Sequence, residues 1–254
     1  MFTGTDILIT GGYGTVGRRV AADLAPDYPD RVVVAGRSTE KAARLAAELG
    51  HGVRGRRVDV GEPDSVEAAL DGVGVVMSCI DQPEPHLLRS AIGRGLAYTD
   101  IAPHLMTCRP TEAMKAEAAQ RGARIVLGSG LAPGISSLLA RLGADRVGAV
   151  ESVKSNVLLS VGDVYGPASR AYLMEEIALP YAVYIEGREM PTRPFGGYAR
   201  VNFPPLSGSG RLTCSRSPTR SSSPRRSVSL RLSRAWCLSR PGWERCCRRW
   251  CGYG

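Results

Sequence analysis

A glycine-rich turn near the start of the chain is the feature that points most directly to chemistry. Thr10–Gly17 reads T-G-G-Y-G-T-V-G and contains the spacing G-x-G-x-x-G. The first of these glycines would make a tight turn, the second would let the backbone approach a pyrophosphate, and the third would let a helix pack on a strand. Free N–H groups at that helix's start would meet the phosphate charge. The motif predicts a dinucleotide site formed by Gly12, Tyr13, Gly14, Thr15, Val16 and Gly17. A glycine-rich turn without a ligand is the alternative.

The end of the second predicted strand indicates which dinucleotide binds. An NAD site has Asp or Glu about 20 residues after the glycines, where it accepts from the ribose 2′-OH. Here the strand ends A-G-R-S at residues 35–38, without a carboxylate. The guanidinium of Arg37 and the hydroxyl of Ser38 suit a 2′-phosphate, which predicts NADP, although Arg37 could also be a solvated loop residue. Asp59, near the end of the third predicted strand, is expected on the adenine side, with capping of the next helix as the alternative.

The elements that would position these residues alternate along residues 6–149. Short apolar runs predict strands at 6–10, 31–35, 52–60, 73–80, 97–101 and 124–127. Amphipathic stretches predict helices at 16–24, 40–49 (ended by Gly50), from Pro63, at 86–95 and at 111–121. Strands separated by helices are typical of βαβ units. The predicted class is therefore α/β, a doubly wound parallel sheet of the Rossmann type, followed by an incomplete α+β second domain.

The pattern of predicted strands and helices changes after about residue 148. Residues 150–161 have strand character, 167–179 look helical, and 181–185 form another predicted strand. We therefore predict three regions: an NADP-binding Rossmann domain (1–149), the start of an α+β substrate or dimerisation domain (150–210), and an Arg/Ser/Cys-rich tail (211–254).

The tail carries all of the net charge. Of the formal +9, residues 211–254 contribute +10, from eleven Arg and one Glu, so the body is nearly neutral and predicts no nucleic-acid partner. A disordered basic arm for nucleic acid and a zinc site of Cys237, Cys246, Cys247 and Cys251 are two interpretations. The favoured interpretation is translation in a shifted frame, because TCN serine codons read one base earlier encode apolar residues. On that interpretation the native chain is longer.

Other features of the body favour a cytoplasmic protein that acts on a small molecule. No run of 18 apolar residues predicts a membrane span, and residues 1–10 lack the pattern of a secretory signal. Two body cysteines without a pairing pattern suit a reducing compartment. We also expect a homodimer, and no metal site in the body.

Three later segments carry a family resemblance. They are Val75–Ile80 (V-V-M-S-C-I), Tyr98–Asp100 (Y-T-D) and Gly130–Gly134 (G-L-A-P-G). Together with the glycine loop, they make residues 5–210 resemble the saccharopine dehydrogenase-like family, specifically its NADP-binding domain. The resemblance implies hydride transfer with NADP and places Ser78 and Cys79 under the nicotinamide. Asp81-Gln82-Pro83 stands where members often carry Gly-Pro, and Ile101-Ala-Pro103 where Gly-Glu is common, so the substrate cannot be carried over.

Three side chains near the end of the fifth predicted strand are candidates for acid–base work. Tyr98, Asp100 and His104 lie where ligands bind in this architecture, and His104 could titrate near neutrality. A surface histidine, a loop-holding Asp100 and a buried, unreactive Cys79 are the structural alternatives.

Two other classes compete with this interpretation. Short-chain dehydrogenases also begin T-G-G-x-G-x-x-G but need Y-x-x-x-K, and none of Lys41, Lys115 and Lys154 has a Tyr four residues earlier. A non-catalytic NADP-binding redox sensor, or an inactive truncated product, stays open because the sequence has no unmistakable catalytic constellation.

Overall fold

A computed structural model describes residues 4–82, 84–101, 112–131 and 134–147, together with Gly166 and six short strands between residues 157 and 230. His104 and the predicted helix at 167–179 lie outside the described residues. None of the described helices is both long and apolar enough to cross a bilayer.

A six-stranded parallel sheet organises the first half of the chain. Its strands are β1 (Asp6–Thr10), β2 (Val32–Gly36), β3 (Arg54–Arg57), β4 (Val73–Ser78), β5 (Ala97–Asp100) and β6 (Arg124–Val126). They lie in the order β3-β2-β1-β4-β5-β6. The order reverses between β1 and β4, which opens a crevice at the carboxyl ends of these two strands.

Helices alternate with the strands. They are α1 (Thr15–Leu24), α2 (Thr39–Leu49), α3 (Pro63–Ala69), α4 (His86–Gly93), α5 (Glu112–Arg121) and α6 (Ile135–Val147). The predicted doubly wound α/β sheet is therefore confirmed.

Two apolar layers cover the two faces of the sheet. Successive residues of β1 point to opposite faces, so that Ile7 and Ile9 pack in one layer and Leu8 in the other. The layer around Ile9 contains buried side chains from α1 and α2, and the layer around Leu8 contains buried side chains from α3 and α4. The helices thus lie on both faces and leave the carboxyl edge of the sheet for the loops.

Local signals set the helix ends that matter for the site. The Oγ of Ser38 accepts a hydrogen bond from the Lys41 N–H at 3.2 Å and caps α2. At its other end, α2 stops before Gly50, which has φ of +65° and confirms the predicted end. Pro63 lies in the first turn of α3, as the sequence predicts.

The third strand is shorter than the predicted 52–60. His51 and Gly52 have φ of +51° and +68°, so the chain is still turning when it reaches residue 52. After Arg57 it leaves the sheet through a second turn, closed by a hydrogen bond from the Gly61 N–H to Asp59 Oδ1. Strand β3 lies at the sheet edge and is largely exposed, which explains its basic sequence.

The second half of the chain is described as three antiparallel strand pairs. The pairs are β7 (Val157–Ser160) with β12 (Ser227–Leu230), β8 (Tyr181–Ile185) with β9 (Arg188–Thr192), and β10 (Val201–Asn202) with β11 (Thr213–Cys214). Strand β8 has its predicted bounds, and β11 and β12 belong to the arginine-rich segment. The chain divides into two compact units between Leu138 and Leu139, inside α6. The α+β second domain at 150–210 stays a prediction.

Candidate cofactor and active site

The glycine loop joins β1 to α1 at the carboxyl edge of the sheet. The Gly14 N–H donates to the Gly11 carbonyl at 2.8 Å, so the loop closes on itself. The Gly12 N–H donates to the carbonyl of Ala35 at 3.0 Å, which ties the loop to β2. These bonds fix the start of α1 next to the end of β2.

The outer side of this loop is open. Helix α1 has no side-chain cap, and Gly14, Thr15 and Val16 are exposed. A Cβ added to Gly17 would lie 2.3 Å from the Gly11 carbonyl oxygen, so close packing requires that glycine. A Cβ on Gly14 would meet only one atom within 4 Å, the same oxygen at 3.0 Å. The space over Gly14 and the uncapped N–H groups beside it fit a pyrophosphate.

The end of β2 offers donors beside that loop. Arg37 is exposed and has no hydrogen-bond or ion-pair partner among the described residues. The Ser38 N–H donates to the Tyr13 hydroxyl oxygen at 3.0 Å, while Ser38 Oγ caps α2. The capping bond uses a lone pair of Ser38, so its O–H still has a proton to donate. Both predicted 2′-phosphate ligands therefore retain donors.

Asp59 lies at the turn between β3 and α3. Its Oδ1 accepts from the Gly61 N–H at 3.1 Å, and its own N–H donates to Ser65 Oγ at 3.0 Å. The side chain is half-buried and takes part in the turn that leads to α3. Asp59 therefore closes the turn before α3 without capping that helix, whose N-cap is Glu62, and its other carboxylate oxygen has no partner among the described residues.

At the end of β4, Ser78 is fully buried. Its hydroxyl accepts from Thr10 Oγ1 at 3.3 Å and donates to the Ile80 carbonyl at 3.3 Å. The next residue, Cys79, is a free, half-buried cysteine. Burial raises the pKa of the Cys79 thiol to about 11, so it stays protonated at neutral pH.

A buried polar network joins the ends of β4 and β5. Gln82 Nε2 donates to Ser78 Oγ at 3.1 Å and to the Tyr98 hydroxyl at 2.9 Å. Tyr98 donates to Asp100 Oδ2 at 3.4 Å, and Asp100 Oδ1 accepts from the Gly128 N–H at 2.8 Å. Gln82, Tyr98 and Asp100 are 1%, 2% and 0% exposed. Gln82 Oε1 is buried without a hydrogen-bond partner in the described part of the chain.

Burial dominates the electrostatics of this network. It raises the pKa of Asp100 to about 6, against the lowering effect of the hydrogen bonds from Gly128 and Tyr98. Burial, followed by the nearby Asp100 charge, also raises the pKa of Tyr98 well above its ordinary value. Asp100 thus titrates near neutrality, whereas Tyr98 keeps its proton.

The predicted site residues fall into two groups along one edge of the sheet. The loop residues, Arg37 and Ser38 lie around β1 and β2, and Ser78, Cys79, Tyr98 and Asp100 lie at or next to the ends of β4 and β5. Gln82 and Thr10 were absent from the predicted site. A polar residue shortly after a buried strand was the only signal for Gln82. Within the described residues, no three His, Cys, Asp or Glu side chains lie close enough together to hold a metal.

Comparison with known proteins identifies the domain. Residues 7–126 match the family model of the saccharopine dehydrogenase NADP binding domain. This part of the chain is similar to the NADP-binding domain of saccharopine dehydrogenases. The matched residues include the glycine loop, Arg37 and most of the buried network, and the open space over Gly14 and the Arg37 guanidinium, which has no partner among the described residues, fit an NADP cofactor.

One solved structure shows the same fold at low identity. The apo, histidine-tagged saccharopine dehydrogenase (L-Glu forming) from Saccharomyces cerevisiae is 21% identical, with a TM-score of 0.58 over 80% of this chain and 48% of its own. The chain thus spans about half the length of that yeast enzyme.

Two further structures are more distant. Pen from Bacillus thuringiensis is 17% identical over 50% of each chain, with a TM-score of 0.42. The Citrobacter sp. triphenylmethane reductase complexed with NADP(H) is 20% identical over 48% of each chain, with a TM-score of 0.38. TM-scores this low do not establish a shared fold.

Proposed function

We propose that this chain is an NADP-dependent oxidoreductase that transfers a hydride to or from a C=N or C=C bond of a small metabolite. The observation that carries the proposal is the open space over Gly14 together with the exposed guanidinium of Arg37, which has no partner among the described residues. Both lie at the carboxyl edge of a parallel sheet, on the β2 side of the point where the strand order reverses.

Each part of that edge has a proposed role. The pyrophosphate would lie on the loop formed by Gly12, Tyr13, Gly14, Thr15, Val16 and Gly17. Arg37 and Ser38 would bind the 2′-phosphate, and the free oxygen of Asp59 would face the adenine side. Ser78 and Cys79 would lie under the nicotinamide, where a protonated thiol is an apolar neighbour rather than a nucleophile.

The reaction needs a proton as well as a hydride. When bound, NADPH supplies a hydride to one atom of the double bond, while a proton joins the other atom. Tyr98 and Asp100 are buried, and their network holds the end of β4 against the Gly128 loop. We propose that Tyr98 and Asp100 contribute through this network, in which Asp100 gains or loses a proton near its raised pKa of about 6. His104 stays the sequence-based candidate for direct proton transfer.

Deuterium transfer tests the proposed reaction. The full chain is incubated with NADPH deuterated at C4, separately on each face, and with a panel of cyclic imines and conjugated enones. We expect deuterium in a reduced product from one face only, because a fixed site presents one face of the ring. NADPH that binds tightly and transfers no deuterium to any substrate would contradict the proposal.

That negative result would favour a second function, a non-catalytic NADP-binding module. The observation favouring it is that Tyr98 and Asp100, the predicted acid–base side chains within the described residues, are almost completely buried. Such a module would bind NADP and NADPH without turnover.

The remaining proposals concern organisation. We propose that residues 1–149 hold the cofactor, that 150–210 begin a domain for substrate or dimer contacts, and that the chain forms a homodimer in the cytoplasm. Sedimentation of the full chain with and without NADPH measures the oligomeric state, and a monomer in both samples would contradict the homodimer.

A further inference from the structure

We propose that Tyr13 is a specificity-determining residue whose hydroxyl donates a hydrogen bond to the 2′-phosphate of NADP. This inference rests on the proposed placement of that phosphate beside Arg37. The sequence places Tyr13 in the pyrophosphate loop, but its ring reaches the end of β2 instead. There its hydroxyl oxygen accepts from the Ser38 N–H at 3.0 Å.

The missing side chain of Gly36 makes room for this ring. A Cβ on Gly36 would lie 2.6 Å from Cε1 of Tyr13 and 2.7 Å from its Cζ and its hydroxyl oxygen. Gly36 is buried at the end of β2, so the ring lies directly on the strand. Any larger residue at position 36 would displace the ring from the turn that carries Arg37 and Ser38.

The hydrogen bond from Ser38 decides which group Tyr13 has left to offer. A phenol hydroxyl has one proton to donate and can also accept. Because its oxygen accepts from Ser38, its own proton points elsewhere, and it has no acceptor among the described residues. The hydroxyl lies against Gly36 and Ser38, the two neighbours of Arg37 in the chain, and the Arg37 guanidinium also lacks a partner in the described part of the chain. A phosphate at this turn would accept from both groups, whereas the 2′-OH of NAD adds no charge.

A purely structural tie between the loop and β2 is the competing explanation. It would support every nucleotide that uses the loop and would therefore change NADPH and NADH affinity by the same factor. The ratio of the two affinities separates the explanations, because only a contact with the 2′-phosphate changes that ratio.

The experiment compares Tyr13→Phe with the wild-type chain. Binding of NADPH and NADH is measured by nucleotide fluorescence, and adenosine 2′,5′-bisphosphate and 5′-AMP are compared by calorimetry. Removing a hydrogen bond to a charged group should weaken NADPH and the bisphosphate about tenfold, while NADH and 5′-AMP change less than about twofold. Tyr28→Phe is the matched control, since Tyr28 is an exposed tyrosine stacked under Arg31 and should alter neither affinity.

A second variant tests the same contact through the strand. Gly36→Ala should push the ring away and lower the NADPH-to-NADH preference in the same direction as Tyr13→Phe. An unchanged ratio in Tyr13→Phe overturns the role of Tyr13, even if both affinities fall together. A wild-type chain without preference for NADPH, unaltered by Arg37→Ala, would instead overturn the placement of the phosphate itself.

Discussion

The two ends of the proposed cofactor site are built in opposite ways. Around β1 and β2, Gly14 and Arg37 are exposed and keep donors that nothing in the described residues uses. Around β4 and β5, Ser78, Tyr98 and Asp100 are buried and bonded to one another. One end is open and positively charged, and the other is closed and holds a carboxyl group.

The difference follows from what each end would bind. A pyrophosphate and a 2′-phosphate bring negative charge, which needs free N–H groups and a cation at the surface. A nicotinamide ring needs a firm, water-poor wall, and buried hydrogen bonds can supply such a wall. The closed end has a cost in stability, because Gln82 Oε1 lacks a partner in the described residues and Asp100 lies in a poorly solvated place.

The largest expected effect tests the closed end through its pH dependence. The pKa of Asp100 rises from 3.8 to about 6 on folding, so the folded state holds this proton more tightly than the unfolded chain does. The contribution of Asp100 to stability should therefore fall by about 3 kcal/mol in all between a pH below about 3 and a pH above about 7, of which about 2 kcal/mol is lost between pH 4.5 and pH 7. Asp100→Asn cannot titrate and should lack this loss. Urea unfolding at pH 4.5 and pH 7 measures this loss. The difference in the free energy of unfolding between wild type and Asp100→Asn should change between the two pH values.

Tyr98→Phe provides the control for this measurement. The Tyr98 hydroxyl lowers the pKa of Asp100 by hydrogen bonding, so its removal should keep or steepen the pH dependence. A free-energy difference between wild type and Asp100→Asn that is the same at both pH values would show that the carboxyl is not closed off from water.

The next effect tests the open end. Arg37→Ala should weaken NADPH binding about 30-fold, or by about 2 kcal/mol, because it removes charge-assisted bonds to the 2′-phosphate. NADH binding should change less than about twofold on the same basis. Lys41→Ala is the matched control, since it removes an exposed cation from the first turn of α2, four residues after Arg37. Nucleotide fluorescence measures both affinities, and equal losses for NADPH and NADH would refute the role of Arg37.

The same contrast explains how much of the site the sequence could predict. The glycine loop and Arg37 act through backbone geometry and charge at the ends of neighbouring elements, so a short motif is enough to find them. The doubly wound sheet followed from the alternation of strands and helices. The bond between Ser38 and Tyr13 joins residues 25 positions apart and depends on the room over Gly36, which no local pattern reveals.

The closed end was harder to predict for the same reason. The sequence shows Gln82 as a polar residue shortly after β4, in a segment that departs from the family pattern, but its hydrogen bonds depend on how β4 and β5 pair. Both ends of β3 were predicted wrongly, because the positive φ angles of His51 and Gly52 delay its start and the turn at Asp59 ends it early.

The smallest expected effect comes from the opposite edge of the sheet and separates stability from cofactor binding. At the start of β1, the nearly buried Asp6 forms ion pairs with Arg54 at 2.6 Å and Arg56 at 3.5 Å. Both arginines are partly exposed and can be rehydrated, so Asp6→Asn should lower the free energy of unfolding by only about 1 kcal/mol. The five-residue strand keeps Asp6 about 16 Å from the glycine loop, so NADPH affinity should not change.

Asp23→Asn is the control for this comparison, because it removes an exposed i,i+4 pair with Arg19 and should cost less than about 0.5 kcal/mol. Urea unfolding and NADPH titration on the same samples make the test. A loss of NADPH affinity in Asp6→Asn without loss of stability would mean that the amino edge communicates with the cofactor loop. The NADPH affinity of the open end would then depend on more than the exposed donors around it.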